Sequence, residues 1–160
     1  MIVSFANAQS SNFNIIPQPN SIQTFDGNFK ISKNTFAISL DIELYDEQYF
    51  IYELKKRYGI KIVHGVSYNL NKPSIIRLTM DTANHLMNGG YVLLATKGMI
   101  SISGSGKDGI FNGIQTLLQI ITKESDSILS VPYCMITDEP RFEWRGMHLD
   151  VSRHFFRKKK

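Results

Sequence analysis

The chain has 160 residues, of which 42% are hydrophobic and 20% charged. That is enough for one domain with a real core and too apolar for a disordered tail. No run approaches the ~18 uninterrupted apolar residues of a membrane-crossing helix. The net charge of +4 is concentrated at one end: residues 141–160 hold seven Lys/Arg against two acids, and residues 1–140 hold 11 against 12. A nucleic-acid surface would spread Lys and Arg among stacking aromatics, so no nucleic-acid partner is expected.

In chain order, Ala6-Asn7-Ala8 fits a small-x-small signal-peptidase site without a basic region or full apolar stretch before it. Residues 1–8 are read as a residual signal peptide, which implies an exported protein, periplasmic or extracellular; an ordinary frayed terminus is the alternative. Ile15 to Asn20 holds two prolines and is extended. Phe29–Ile31 and Thr35–Leu40 alternate with period two around Ser32-Lys33-Asn34 and predict a pair of strands. From Asp46 the period changes. Phe50, Ile51, Leu54 and Tyr58 line one face of a helix that Asp46 can cap, with Lys55-Lys56-Arg57 in its last turn and Gly59 as its stop.

Ile60–Val63, Ser74–Met80, Tyr91–Thr96 and Met99–Ser103 are short β-rich runs divided by turn residues, and the last two form a hairpin across Lys97-Gly98. Asp108 can cap a second helix whose stripe is Ile110, Phe111, Ile114, Leu117, Leu118 and Ile121. Both helices need one apolar surface to cover. The expected fold class is α+β, a mostly antiparallel sheet with two helices on one face. Cys134, the single cysteine, lies in the apolar run Ile128–Ile136 and reads as a buried thiol rather than a nucleophile.

Gly104-Ser-Gly-Lys-Asp-Gly109 matches a dinucleotide-binding pattern, but its strand belongs to an antiparallel hairpin and the acid that should bind ribose comes too early. It reads as a flexible strand-to-helix turn. His64, His85 and His148 are scattered singly, with no His-x₃-His or Cys-x₂-Cys spacing, so neither metal nor cofactor is expected. Asp138-Glu139 is not read as a catalytic pair, since neighbours in extended chain point to opposite sides.

The most specific stretch is Asp138-Glu-Pro-Arg-Phe142 followed by Glu143-Trp-Arg-Gly-Met-His-Leu-Asp-Val-Ser-Arg-His-Phe-Phe156. It resembles the opening of the catalytic barrel in the β-N-acetylhexosaminidases of glycoside hydrolase family twenty. Ile16-Pro-Gln-Pro19 with Gly27-x-Phe29, and Gly90-Tyr91 through Gly109–Gln119, resemble what precedes that barrel. The resemblance implies an N-terminal α/β domain over residues 9–136, then a linker and the start of a truncated (β/α)₈ barrel over 137–160, with its first strand near 143–151. Met147, Leu149 and Val151 alternate with His148, Asp150 and Ser152, as such a strand should. A whole barrel needs ~250 residues, so the chain reads as part of a longer enzyme.

In that family the substrate's own acetamido group attacks the anomeric carbon, an Asp orients it and a Glu protonates the leaving oxygen, a departure from the two-carboxylate scheme. The Asp-Glu pair follows a later strand, so the resemblance places no catalytic residue in this chain. It implies one substrate-binding residue, Arg145, whose planar donors suit adjacent sugar hydroxyls; a salt bridge at the barrel floor or between domains is the alternative. Asp150, Arg153 and His154 are possible site support, Asp150 with Arg153 as an ion pair bracing a loop and His154 as a packed ring. The implied partners are a glycan with a terminal N-acetylhexosamine and the missing barrel in cis. The other function class is a non-catalytic supporting or interaction domain.

Overall fold

The computed structural model describes residues 13–40, 45–64, 74–81, 85–142 and 146. Their elements are β1 (Ser21–Ile31), β2 (Phe36–Leu40), α1 (Tyr45–Tyr58), β3 (Val63–His64), β4 (Ile75–Met80), β5 (Tyr91–Thr96), β6 (Met99–Gly104), α2 (Lys107–Ile120), β7 (Thr122–Lys123) and β8 (Leu129–Asp138). One sheet has the order β1-β8-β5-β6-β4-β2-β3, with β7 beside β8.

The sheet is mixed, which corrects the expectation of a mostly antiparallel one. β1, β8, β5 and β6 run antiparallel to their neighbours, whereas β6–β4, β4–β2 and β2–β3 are parallel. The short hairpin links hid this: α1 is itself the long crossover that a parallel pair requires. A second correction concerns β1 and β2, which are not partners. β1 pairs with β8, about a hundred residues away, in the register Ser21↔Thr137 to Ile31↔Leu129. Period-two alternation identifies a strand and says nothing of its neighbour. The turn between them is real, with the Thr35 amide donating to the Ser32 carbonyl at 2.9 Å.

Both helices lie on one face of the sheet, as expected. The Tyr49 and Phe111 rings stand 5.4 Å apart, and Gln115 Nε2 donates to the Tyr49 hydroxyl at 3.1 Å, so α1 and α2 touch side by side. Beneath them Phe50, Leu54, Ile110, Ile114 and Leu117 meet Leu78, Leu93, Ile100, Ile102 and Ile136, all fully buried. Each such side chain contributes ~1.5–3 kcal/mol through burial. α2 sits close because Gly113 has no side chain; a Cβ there would stand 2.5 Å from Ile102 Cγ2. Phe111 departs from its predicted stripe and is 42% exposed, because it faces Tyr49 rather than the sheet.

Neither acid stands at the predicted cap. Asp46 and Asp108 lie inside the first turns of α1 and α2, where a carboxylate favours the positive end of the helix dipole, and Gly106 occupies the N-cap of α2 in extended conformation. Gly59 closes α1 as expected, at φ +73. The run Ile60–Val63 contributes a strand only at Val63–His64. On the face opposite the helices, Arg77 Nη2 donates to Ser101 Oγ at 3.4 Å and the Thr79 and Ser103 hydroxyls pair at 3.2 Å, each along a parallel β4–β6 rung. Among the described residues no helix is long and apolar enough to cross a membrane. The readings of residues 1–8 as a signal remnant and 143–151 as a first barrel strand lie outside the described residues, Gly146 excepted.

Candidate functional site at the chain exit

The residues of highest interest from sequence, Arg145, Asp150, Arg153 and His154, lie outside the described residues, as does Trp144. What is described is the place from which that segment departs. β8 ends at Asp138, and Glu139, Pro140, Arg141 and Phe142 follow along a cleft of about 520 Å³ between the 16–18 segment, α2 and the end of β8.

The two stretches that carry the family resemblance meet there. Gln119 grips the Ile16 backbone at both ends of its amide: Ile16 N donates to Gln119 Oε1 at 2.9 Å, and Gln119 Nε2 donates to Ile16 O at 3.3 Å. Gln119 lies on the outer side of α2, so the helix carries the extended proline segment along its length. At the floor of the cleft, the Tyr91 hydroxyl and Thr116 Oγ1 share a hydrogen bond of 2.5 Å. Burial pushes the Tyr91 phenol up to about 12, against the lowering effect of that hydrogen bond and with a smaller push from the Asp138 charge. It is therefore neutral at ordinary pH and pins α2 to β5 rather than moving protons.

Asp138 and Glu139 point to different partners, as neighbours in an extended chain must. Asp138 Oδ1 accepts from the Asn20 amide at 3.2 Å, and Glu139 Oε2 accepts from the Met87 amide at 3.0 Å. Both carboxylates hold backbone, which agrees with reading the pair as non-catalytic. The loop that Glu139 holds is bound on its other sides: Ser105 Oγ donates to Met87 O at 2.8 Å and Asn112 Nδ2 to Gly89 O at 2.9 Å.

The Gly104–Gly109 motif is part of this packing. Ser105 N donates to Gly90 O at 2.9 Å and Asp81 N to Gly104 O at 2.9 Å. A Cβ on Gly109 would meet the Gly90 carbonyl oxygen, and one on Gly104 would stand 2.5 Å from the Ile110 nitrogen. The turn is tightly packed, which corrects its reading as flexible, and its glycines are required by backbone approach rather than by a phosphate. Its strand β6 is a hairpin partner of β5 and also pairs in parallel with β4.

Cys134 is fully buried, and burial pushes its thiol up to about 12, so it has no thiolate character at neutral pH. Among the described residues no group of three His, Cys, Asp or Glu could hold a metal ion. Sequence reading missed the contact between His64 Nδ1 and the buried Glu47 carboxylate; their separation of 17 residues carried no signal, because α1 and β3 meet only in the fold. It also missed the backbone partners of Gln119, Asn112 and Glu139. Polar residues on an exposed helix side look alike until the chain they hold is in place.

The described residues thus offer hydrogen bonds and a rigid exit. The sequence model described as glycosyl hydrolase family 20, domain 2, matches residues 12–139. A beta-hexosaminidase of Porphyromonas gingivalis is 35% identical over 159 residues, covering 89% of this chain and 19% of that protein. Among solved structures, the Flavobacterium johnsoniae chitobiase is 30% identical with a TM-score of 0.68, over 89% of this chain and 23% of that one. A mutant Streptomyces plicatus beta-hexosaminidase in complex with the product GlcNAc is 25% identical with a TM-score of 0.74, over 90% and 30%. The chain spans about a fifth of the length of the Porphyromonas relative it matches. With its exit held just before the W-R-G stretch and its family match ending at residue 139, the chain belongs to glycosyl hydrolase family 20, whose domain 2 it supplies.

Proposed function

We propose that the chain is the N-terminal supporting part of a β-N-acetylhexosaminidase that removes terminal N-acetylglucosamine or N-acetylgalactosamine from glycans by substrate-assisted, retaining hydrolysis. The observation that carries this reading is the junction. Domain 2 matches through residue 139, and the chain continues at once into Pro-Arg-Phe-Glu-Trp-Arg-Gly146, the stretch that resembles the opening of the catalytic barrel. The solved neighbour with bound GlcNAc supports the sugar. In this reading the domains are the supporting one, over 9–136, and the linker with the start of the (β/α)₈ barrel, over 137–160. Arg145 hydrogen-bonds ring hydroxyls, Asp150, Arg153 and His154 brace the first barrel loop, and the orienting Asp and the acid Glu come from beyond Lys160. The chain alone is then inactive.

The test is a chromogenic N-acetylglucosaminide assay on this chain continued through its barrel. A hydrogen bond from a charged donor is worth ~1.5–3 kcal/mol, so Arg145→Ala is expected to lower kcat/KM roughly ten- to more than a hundredfold. Full activity in a folded Arg145→Ala enzyme would contradict the assignment. Export is part of the same proposal and rests on Ala6-Asn7-Ala8; N-terminal sequencing of the secreted protein should find Met1 removed, and an intact Met1 would overturn it.

A further inference from the structure

We propose that Asp138 and Glu139 are positioning residues: together they clamp the chain as it leaves the sheet and so fix the start of the segment that carries Arg145. The purpose of the clamp rests on the function proposed above; its existence rests on geometry. β8 and β1 pair up to Ser21↔Thr137, and Asp138 Oδ1 then accepts from the Asn20 amide at 3.2 Å. A side chain thereby adds a rung where the backbone ladder ends. On the other flank, Glu139 Oε2 accepts from the Met87 amide at 3.0 Å.

The surface behind the clamp is cut to fit. A Cβ on Gly90 would stand 3.1 Å from Glu139 Cβ, and one on Gly89 would stand 3.1 Å from the Pro140 ring. Gly89 itself has φ +83, a conformation that favours glycine. The loop cannot give way, because Ser105, Asn112 and the first turn of α2 hold its far side. Pro140 has no amide to donate and a fixed φ, which stiffens the departure.

The exit is therefore held on two flanks up to Pro140, and Phe142, 71% exposed, lies two residues further on. Arg145 follows Phe142 by three residues, a reach of at most about 11 Å. A residue so close to a fixed point inherits its placement, and a displacement of ~1 Å can cost ~10²-fold in rate. Two carboxylates that do no chemistry thus govern where a sugar-binding residue begins.

The experiment has two arms. In the 160-residue chain, amide hydrogen exchange by NMR should show Glu139→Ala speeding exchange of the Met87 amide at least tenfold, with β5 and β6 amides unchanged. Asp138→Ala should do the same to Asn20, and Glu139→Gln, which keeps an acceptor oxygen, should preserve Met87 protection. In the chain continued through its barrel, Glu139→Ala should lower kcat about tenfold per folded molecule with little change in KM, and Glu139→Gln should restore most of it. Unchanged Met87 exchange in Glu139→Ala would overturn the clamp. Faster exchange with unchanged kcat would overturn the positioning role. An unsubstituted enzyme without turnover would instead overturn the proposed function and with it the positioning role, and the exchange arm would still decide the clamp.

Discussion

The antiparallel half of the sheet, β1, β8, β5 and β6, and the parallel half, β4, β2 and β3, differ in what holds them. In the first, ladders of up to eight partners are backed by α2, and the chain exit is hydrogen-bonded to both flanks. In the second, the edge strand β3 has two rungs, Phe36↔Val63 and Ala37↔His64, and a side-chain contact from His64 to Glu47. The lesson is one of position: the half that launches the next segment is the half built with the most redundant support.

The largest expected effect tests that contrast by substitution. Leu93→Ala on β5, where the side chain is 0% exposed, should cost 2–5 kcal/mol, roughly the range for a truncated core leucine. Val63→Ala on β3, where the side chain is 48% exposed, should stay within about 0.5 kcal/mol. Urea denaturation of both variants checks this, and equal losses would erase the distinction. Next in size is Gly109→Ala, whose Cβ would press on the Gly90 carbonyl oxygen. Overpacking of this kind costs ~1–3 kcal/mol, partly offset by the ~1 kcal/mol that alanine gains in a helix, and the melting temperature should fall.

A third prediction concerns pH, since both strongly shifted groups sit in the antiparallel half. Burial raises Cys134 from 9.0 to about 12 and Tyr91 from 10.0 to about 12. The unfolded chain therefore loses these protons first as pH rises, so stability is fully present below pH 9 and declines from there towards pH 12. Each group can contribute up to ~1.4 kcal/mol per pH unit within its window. Cys134→Val should flatten the part that begins at pH 9 in denaturation curves measured from pH 8 to 11, and an unchanged curve would sink the attribution. The smallest effect belongs to the exposed pair Lys123–Asp126, 2.7 Å apart. The Lys123 hydrogen bond and charge lower the Asp126 carboxyl, but exposed pairs add little, and Asp126→Asn should leave the melting temperature unchanged.

The same contrast explains what could be read from sequence. The β5–β6 hairpin, the stop of α1 at Gly59 and the burial of Cys134 follow from neighbours in the chain or from local apolarity, and they hold. The β1–β8 ladder joins segments a hundred residues apart, and the parallel pairing of β2 with β4 depends on where α1 crosses; neither leaves a local mark. β8 carried no strand assignment because Pro132 interrupts its run; it is accommodated opposite Asn28, next to the register shift in β1. At the exit, Asp138-Glu139 could be recognised as non-catalytic, but their backbone partners Asn20 and Met87 could not be named, because an acceptor on an extended chain finds its amide only in the folded state. Arg145, Asp150, Arg153 and His154 rest on resemblance alone.

The central claim is that this domain supports a hydrolase and does not itself hydrolyse. The most direct measurement is to assay the 160-residue chain and the same chain continued through its barrel, side by side, on a chromogenic N-acetylglucosaminide. General acid catalysis alone is worth ~10²–10⁴ in rate, and the account places the acid beyond Lys160. It predicts steady turnover by the longer protein and none above background by the 160-residue chain. Turnover by the shorter chain, or none by the folded longer one, would contradict it.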